Sequence, residues 1–200
     1  TLFRSSSPSH RVSGSAVNGL SLLGPRAPVI LWTYGPNVWE KTGFDQFAQT
    51  HLYLGVYPMI PFPDNDHSIA PDDTSTALYL HYGNMFNAIR GRNWVLDAHA
   101  VHCSDAKVNA FDGPFRTEDV HEPRSQSVQR IWPVMLGQPN ATVQLTAVTP
   151  SSGCDSVETL VPGQEQRWIQ QGEVLFSGTS LTVNVTLGLE GCALVRCIAN

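Results

Sequence analysis

The hydrophobic and polar positions of the chain follow two different periodicities on either side of residue 92. Before that point, two short continuous apolar runs, PVILWTY at residues 28–34 and VYPMI at residues 56–60, predict strands that are buried on both faces. Each run precedes a segment whose apolar residues recur at helical spacing. The order strand, helix, strand, helix predicts a βα repeat around a parallel sheet.

Two apolar stripes define the two predicted helices. The first stripe consists of Phe44, Phe47, Ala48 and Leu52. The second stripe consists of Leu78, Tyr82, Phe86 and Ile89. Thr42 and Asp45, three residues apart, resemble the capping box that starts a helix, and Gly55 and Gly91 are placed to end the two helices.

From Asn93 onward the helical period disappears. Eight short runs rich in β-branched and aromatic residues follow, separated by Gly, Pro, Asn or Asp. The run LTVNVTL at residues 181–187 alternates strictly, which predicts one buried face and one exposed face. Eight such runs predict an antiparallel sandwich. We therefore predict a partial α/β region over residues 1–92 and an antiparallel β-sandwich domain over residues 93–200.

The predicted parallel sheet is too small to stand alone. A sheet of two or three parallel strands can neither close nor cover itself, and two βα units followed by an all-β domain are what the end of a (β/α)8 barrel with a C-terminal sandwich would look like. The chain begins at Thr1 without a signal peptide's continuous apolar segment, and its first strong strand is typical of the middle of a domain. We therefore expect a fragment whose N-terminal barrel segment is missing.

Composition narrows the class of protein. The chain is 42% hydrophobic and only 14% charged, as expected of a globular protein that is poor in charge. Its net charge of -5 disfavours a nucleic-acid partner, and the lack of a run of about 18 apolar residues disfavours a membrane span. The sequence contains no serine-hydrolase elbow, P-loop, zinc-protease motif or dinucleotide-binding glycine pattern. We therefore expect no cofactor.

The four cysteines, Cys103, Cys154, Cys192 and Cys197, form no CxxC pair, so a zinc ribbon is not expected. Cys192 and Cys197 lie in one predicted strand, roughly 16 Å apart and on opposite faces, so they should not bond to each other. Cys154 is the better partner for one of them. The alternative is that all four are buried thiols.

Two sequons bear on location. Asn140-Ala-Thr142 and Asn184-Val-Thr186 would accept glycans in a protein that passes through a eukaryotic secretory route. They favour an extracellular or secretory location.

Polar chemistry is concentrated in two segments that directly follow the predicted strands. The segment at residues 34–45 carries Tyr34, Asn37, Trp39 and Glu40. The segment at residues 61–73 carries Asp64, Asn65, Asp66 and His67. Because the segments after the strands build the active face of a barrel, we expect these side chains to meet at one site.

The residue types at this predicted site suit sugar hydrolysis. The reaction needs two carboxylates about 5 to 9 Å apart, and aromatic rings offer flat platforms for sugar rings. We predict Glu40, Asp64 and Asp66 as catalytic carboxylates. The predicted substrate-binding residues are Tyr34, Asn37, Trp39, Asn65 and His67.

Other roles compete for some of these residues. An acid such as Glu40 at the start of a helix is favoured by the helix dipole alone, and Asp72 and Asp73 are interpreted as helix caps. The run DNDH offers oxygens for calcium but lacks the spacing and glycine of an EF-hand loop, so we expect no metal. His99 and His102 would point to opposite faces of a strand, which makes them poor joint ligands.

The stretches PVILWTYGPNVWEKTGFDQFAQTHLYLGVYPMIPFP, YGNMFNAIRGRNWVLDAHAV, KVNAF and IWPVMLG resemble the last two βα units and the β-domain of a retaining-type or uncharacterised glycoside hydrolase. The resemblance implies a carbohydrate substrate. In such barrels the principal catalytic carboxylates often lie on middle strands; where they do, they are outside this chain and the segments here shape the substrate site. The alternative is a non-catalytic carbohydrate-binding or structural β-sandwich module, which predicts a row of exposed aromatic residues that includes Trp132 or Trp168.

Overall fold

The computed structural model describes residues 4–5, 30–33, 41–59, 73–113, 127–163 and 167–199. These residues form the helices α1 (Lys41–Leu54) and α2 (Asp73–Ala88) and fourteen strands. The first three strands are β1 (Arg4–Ser5), β2 (Ile30–Thr33) and β3 (Tyr57–Met59). The others are β4 (Asn93–Trp94), β5 (Val101–Cys103), β6 (Lys107–Val108), β7 (Phe111–Asp112), β8 (Ser127–Met135), β9 (Thr142–Val148), β10 (Ser156–Leu160), β11 (Ile169–Gln170), β12 (Val174–Ser177), β13 (Ser180–Thr186) and β14 (Cys192–Ala199).

The described strands form three sheets. Strands β1, β2 and β3 make a parallel sheet in that order. The second sheet is antiparallel, with the order β11-β10-β14-β8-β7-β4, and β6 also pairs with β8. The third is antiparallel, with the order β12-β13-β9-β5. The fold is therefore predominantly β with two helices, and the complete (β/α)8 barrel stays a prediction.

Two hydrophobic cores lie on the two faces of the seven-stranded sheet. The helix core joins α1 and α2 to one face of the sheet, through side chains that include Phe44, Tyr82, Phe111 and Leu194. The sandwich core joins the other face to the four-stranded sheet, through side chains that include Trp132, Leu145, Val183 and Val195. The division predicted at residue 92 stays a prediction, and the helix core contains residues from both sides of it.

Both predicted apolar stripes lie in the helix core. All four stripe residues of α1 are buried, and so are Tyr82 and Phe86 of α2 and Ile89 directly after it, while Leu78 packs against the core from its edge. Each large apolar side chain that is fully buried contributes about 1.5–3 kcal/mol. The apolar stripe of each helix therefore packs the helix against the sheet.

Helix α1 ends as its sequence predicts. Gly55 has φ of 61°, its N–H donates to Leu52 O at 3.0 Å, and the N–H of Val56 donates to His51 O at 2.9 Å, which together form a Schellman motif. A Cβ at Gly55 would lie 2.7 Å from the ring of Phe111, so only glycine fits this approach to the sheet. Gly91, also with positive φ, follows α2 as predicted.

The start of α1 is described less fully. The side chain of Thr42 lies outside the described residues, so the predicted capping box stays a prediction. Asp45 accepts a hydrogen bond from the Tyr82 hydroxyl at 2.8 Å. This bond joins α1 to α2.

The sandwich core follows from strict alternation. In β13, Leu181, Val183 and Val185 are buried while Asn184 is exposed, as predicted. Across the core, Arg130 donates from Nε and Nη2 to the Asp112 carboxylate at 2.5 and 2.9 Å, and from Nη1 to Val148 O at 2.9 Å. The last contact ties the seven-stranded sheet to the end of β9.

The cysteines divide between the two cores. Cys154 and Cys197 form a disulfide, with their Cα atoms 5.5 Å apart, so Cys154 is the partner that the sequence favoured. Cys192 faces the helix core and Cys197 the sandwich core, which confirms that they lie on opposite faces of β14. Cys103 and Cys192 are buried.

Neither described helix combines the length and the apolar character that a membrane crossing requires.

Candidate functional site

The carboxyl ends of β2 and β3 lie at one edge of the parallel sheet. The two strands pair directly, with Ile30 opposite Tyr57 and Trp32 opposite Met59. Residues 34–40 and 60–72, which carry the predicted site, therefore follow strands that end side by side. All the predicted site residues themselves lie outside the described residues: Tyr34, Asn37, Trp39, Glu40, Asp64, Asn65, Asp66 and His67. Their roles stay predictions.

A second feature was not predicted from the sequence. A cleft of about 620 Å³ opens between α2, the strands β10 and β11, and the connection from β13 to β14. Its lining combines polar and aliphatic residues, among them His81, Asn140, Thr159, Ile169, Gln171, Leu189 and Glu190. These residues come from five separate stretches of the chain, so no local motif marks the cleft.

A histidine–carboxylate pair lies at one end of the cleft. His81 Nε2 and Glu190 Oε1 are 2.7 Å apart, and the Glu190 side chain is only 4% exposed whereas that of His81 is 31% exposed. Gln49 of α1 donates to Glu190 O at 2.7 Å, and the N–H of Gly163 donates to His81 O at 2.8 Å. The pair therefore fastens both helices to the sandwich, and the carboxylate orients the imidazole ring.

The connection that carries Glu190 is held tightly. Gly191 has φ of 72°, and a Cβ there would lie 2.3 Å from the backbone nitrogen of Gln138. The N–H groups of Leu136 and Gly137 both donate to Gly191 O at 2.9 Å. Only glycine fits this contact between two backbones, which fixes the position of the preceding carboxylate.

The opposite wall of the cleft is built by β10 and β11. Gln171 Nε2 donates to Thr159 Oγ1 at 2.9 Å and to Ile169 O at 3.3 Å, and the Gln171 backbone N–H donates to Val157 O at 2.8 Å. Two contacts therefore hold the side-chain amide in place, and a third holds the backbone of Gln171. Beside it, the side chain of Ile169 is 48% exposed.

Burial changes the acidity of three groups near the helix core. Burial raises the pKa of Tyr82 far above its usual value, although a hydrogen bond from Gln49 opposes this. Burial also raises the pKa of Tyr57, against the opposing charge of Arg92. Burial lowers the pKa of Arg92, whose guanidinium lies 5.2 Å from the centre of the Tyr57 ring. None of the three groups belongs to the described cleft lining.

The alternative of a binding module predicted a row of exposed aromatic residues that includes Trp132 or Trp168, and the positions of these two residues do not support it. The prediction was wrong for Trp132, which is fully buried because it faces the sandwich core from a central strand. Trp168 is half-buried beneath the guanidinium of Arg196, 4.3 Å from its ring centre. The described outward face of β9 and β13 carries threonines and amides instead, with Thr142 and Thr186 in hydrogen-bond contact.

The two histidines at residues 99 and 102 differ from the prediction in one respect. The strand predicted to carry His99 and His102 is interrupted by a turn, in which the His99 N–H donates to Asp97 Oδ1 at 2.9 Å. Only His102 lies in a strand, β5, and both side chains are exposed. Within the described ranges, no three His, Cys, Asp or Glu residues are grouped closely enough to hold a metal ion.

Comparison with known proteins finds similarity to solved structures only at low sequence identity and low TM-score. No protein-family model and no curated protein matches the chain. Among solved structures, a GH30 endoxylanase from Clostridium papyrosolvens C71 is 13% identical with a TM-score of 0.43, over 85% of this chain and 42% of that one. CelM2, a bifunctional glucanase-xylanase from a metagenome library, is 14% identical with a TM-score of 0.40, over 94% of this chain and 34% of that one. The chain thus spans less than half of either glycoside hydrolase.

Proposed function

We propose that the chain is the C-terminal part of a carbohydrate-active enzyme that hydrolyses glycosidic bonds with a carboxylate pair. The observation that supports this proposal is the direct parallel pairing of β2 with β3. Because parallel strands that pair end at the same edge, the segments at residues 34–40 and 60–72 begin side by side. Carboxylates from both segments can then flank one bond.

The chemistry assigns roles by residue type. One carboxylic acid protonates the leaving oxygen while a second carboxylate acts as nucleophile or activates water. Glu40, Asp64 and Asp66 supply these groups in our proposal. Tyr34 and Trp39 offer ring surfaces to the sugar, and Asn37, Asn65 and His67 offer hydrogen bonds to its hydroxyls.

The sandwich has a supporting role in this proposal. Helix α1, which joins β2 to β3, packs on the seven-stranded sheet through Phe44 and Phe47. Asn109 of the sandwich donates to Tyr53 O at 2.8 Å, in the last turn of that helix. A site built on elements held in this way keeps its geometry better than a site on unsupported loops.

Hydrolysis by the full-length protein tests the proposal. We expect release of reducing ends from a β-linked xylan or glucan, and a loss of about 10²–10⁴-fold in kcat for Glu40→Gln, Asp64→Asn or Asp66→Asn where the residue is the acid or base. Asp72→Asn and Asp73→Asn are matched controls beside α2 and should keep the activity. Full activity in all three carboxylate variants would overturn the proposal.

We further infer an extracellular or secretory location. The Cys154–Cys197 disulfide supports it, because disulfides persist mainly in oxidising compartments. The exposed side chain of Asn184, in a sequon on β13, supports it as well. Thiol titration of the denatured protein from its native source tests the inference, since two titratable thiols are expected and four would contradict it.

A further inference from the structure

We propose that the cleft between α2 and the sandwich binds a neutral saccharide at a site separate from the proposed catalytic edge. The ligand class is argued from the cleft itself and does not depend on hydrolysis by the strand-end segments. The cleft volume of about 620 Å³ lies within the range of roughly 300–1,000 Å³ that is usual for small-molecule sites. The site therefore has room for a short oligosaccharide.

The cleft is built on fixed elements. His81 and Glu190 bridge α2 to the β13–β14 connection at 2.7 Å, and the backbone of Gly163 donates to His81 O at 2.8 Å. On the opposite wall, Gln171 is held by Thr159 Oγ1 at 2.9 Å. Because the walls are fastened to each other and to the sheet, little ordering of protein groups is needed when a ligand binds.

The charges of the lining exclude an anionic ligand. Neither lysine nor arginine occurs among the described residues that line the cleft. Its one carboxylate, on Glu190, is 4% exposed and paired with His81. A phosphate, sulfate or uronate group would therefore find neither lysine nor arginine in this lining, and the His81 ring is already paired with the Glu190 carboxylate. An uncharged ligand suits this lining.

The remaining groups suit hydroxyls and aliphatic ring faces together. Gln171 donates through Nε2 to Thr159 and Ile169, which leaves its carbonyl oxygen to accept from a ligand hydroxyl. Asn140, exposed at the rim, can donate and accept. Ile169 and Leu189 are 48% and 70% exposed and supply aliphatic surface. A sugar ring combines hydroxyl edges with C–H faces, which is the complement of this wall.

Calorimetric titration of the full chain with xylotriose, cellotriose and the charged trigalacturonate tests the site. We expect one or both neutral trisaccharides to bind and trigalacturonate not to bind. Gln171→Ala and Asn140→Gly should each weaken binding about tenfold, through loss of one or two hydrogen bonds. Glycine is chosen at residue 140 because Asn140 has φ of 54°, a conformation that glycine adopts without strain.

Gln144→Ala is the matched control, since Gln144 is exposed on β9 and lies outside the cleft lining. It should bind as the unaltered protein does, and all variants should keep their thermal midpoints within a few degrees. Binding is measured here apart from hydrolysis, and the two binding variants alter only cleft residues, so a failure of the catalytic proposal is distinguishable from a failure of this one. The proposal is overturned if neither neutral trisaccharide binds, if both cleft variants bind normally, or if trigalacturonate binds equally well.

Discussion

The two cores of this protein use the same sheet but differ in their side chains. The helix core is rich in aromatic rings: Phe44, Phe47, Tyr82, Phe86 and Phe111. The sandwich core is built mainly from valine, leucine and alanine, with Trp132 as its one fully buried ring in the described residues. The comparison teaches that the described central strands of the seven-stranded sheet are covered on both faces, so both layers contribute to its stability.

Removal of the ring at the centre of the sandwich core tests whether the two cores unfold together. Trp132→Ala should lower the free energy of unfolding by about 3–5 kcal/mol, because it removes a fully buried indole and leaves a cavity. Urea denaturation followed by circular dichroism should show the helical and strand signals lost in one transition. Trp168→Ala, at a half-buried ring, should cost less. A helical transition unchanged by Trp132→Ala would show that the cores are independent.

The Cys154–Cys197 disulfide lies on the side of the sheet that faces the sandwich core. Cys154→Ser should lower the free energy of unfolding by about 2–4 kcal/mol, since it removes a cross-link that closes a sequence separation of 43 residues. Urea denaturation with and without reductant measures the effect. Reductant should destabilise the unaltered protein and leave Cys154→Ser unchanged. An equal response of both proteins would contradict a role for this bond.

The helix core should be the more sensitive to alkaline pH. Burial raises the pKa of Tyr82 above that of the unfolded chain, so its stabilising contribution is complete below about pH 10 and is lost as the pH rises further. The free energy of unfolding should fall by about 1.4 kcal/mol per pH unit for each tyrosine kept protonated. Denaturation between pH 9 and 11 measures the slope, which Tyr82→Phe should reduce. An unchanged slope in Tyr82→Phe would contradict this origin.

The elements that follow from local periodicity could be predicted from the sequence. The helical spacing of Phe44, Ala48 and Leu52 and the alternation of Leu181 with Val183 each reflect burial on one side, so both could be predicted. Glycine stops could be predicted for the same reason, because positive φ at Gly55 is a local requirement.

Features set by distant partners could not be predicted. The pairing of Arg4 and Ser5 with β2 comes from a serine-rich stretch without any apolar pattern. The buried position of Trp132 could not be predicted, because nothing in β8 itself reveals which strands cover it. His81 and Glu190 are 109 residues apart, so the pair that anchors the cleft has no signature in either neighbourhood.

Strand β14 has every described residue buried and lies between β8 and β10, although it follows both in the chain. A nascent polypeptide that has not yet reached residue 192 therefore lacks β14. This strand joins β10 and β11 to the other strands of the seven-stranded sheet. Until translation passes that point, β8 and β10 present unsatisfied backbone edges and bare apolar faces. The seven-stranded sheet can therefore be completed only after β14 has been synthesised.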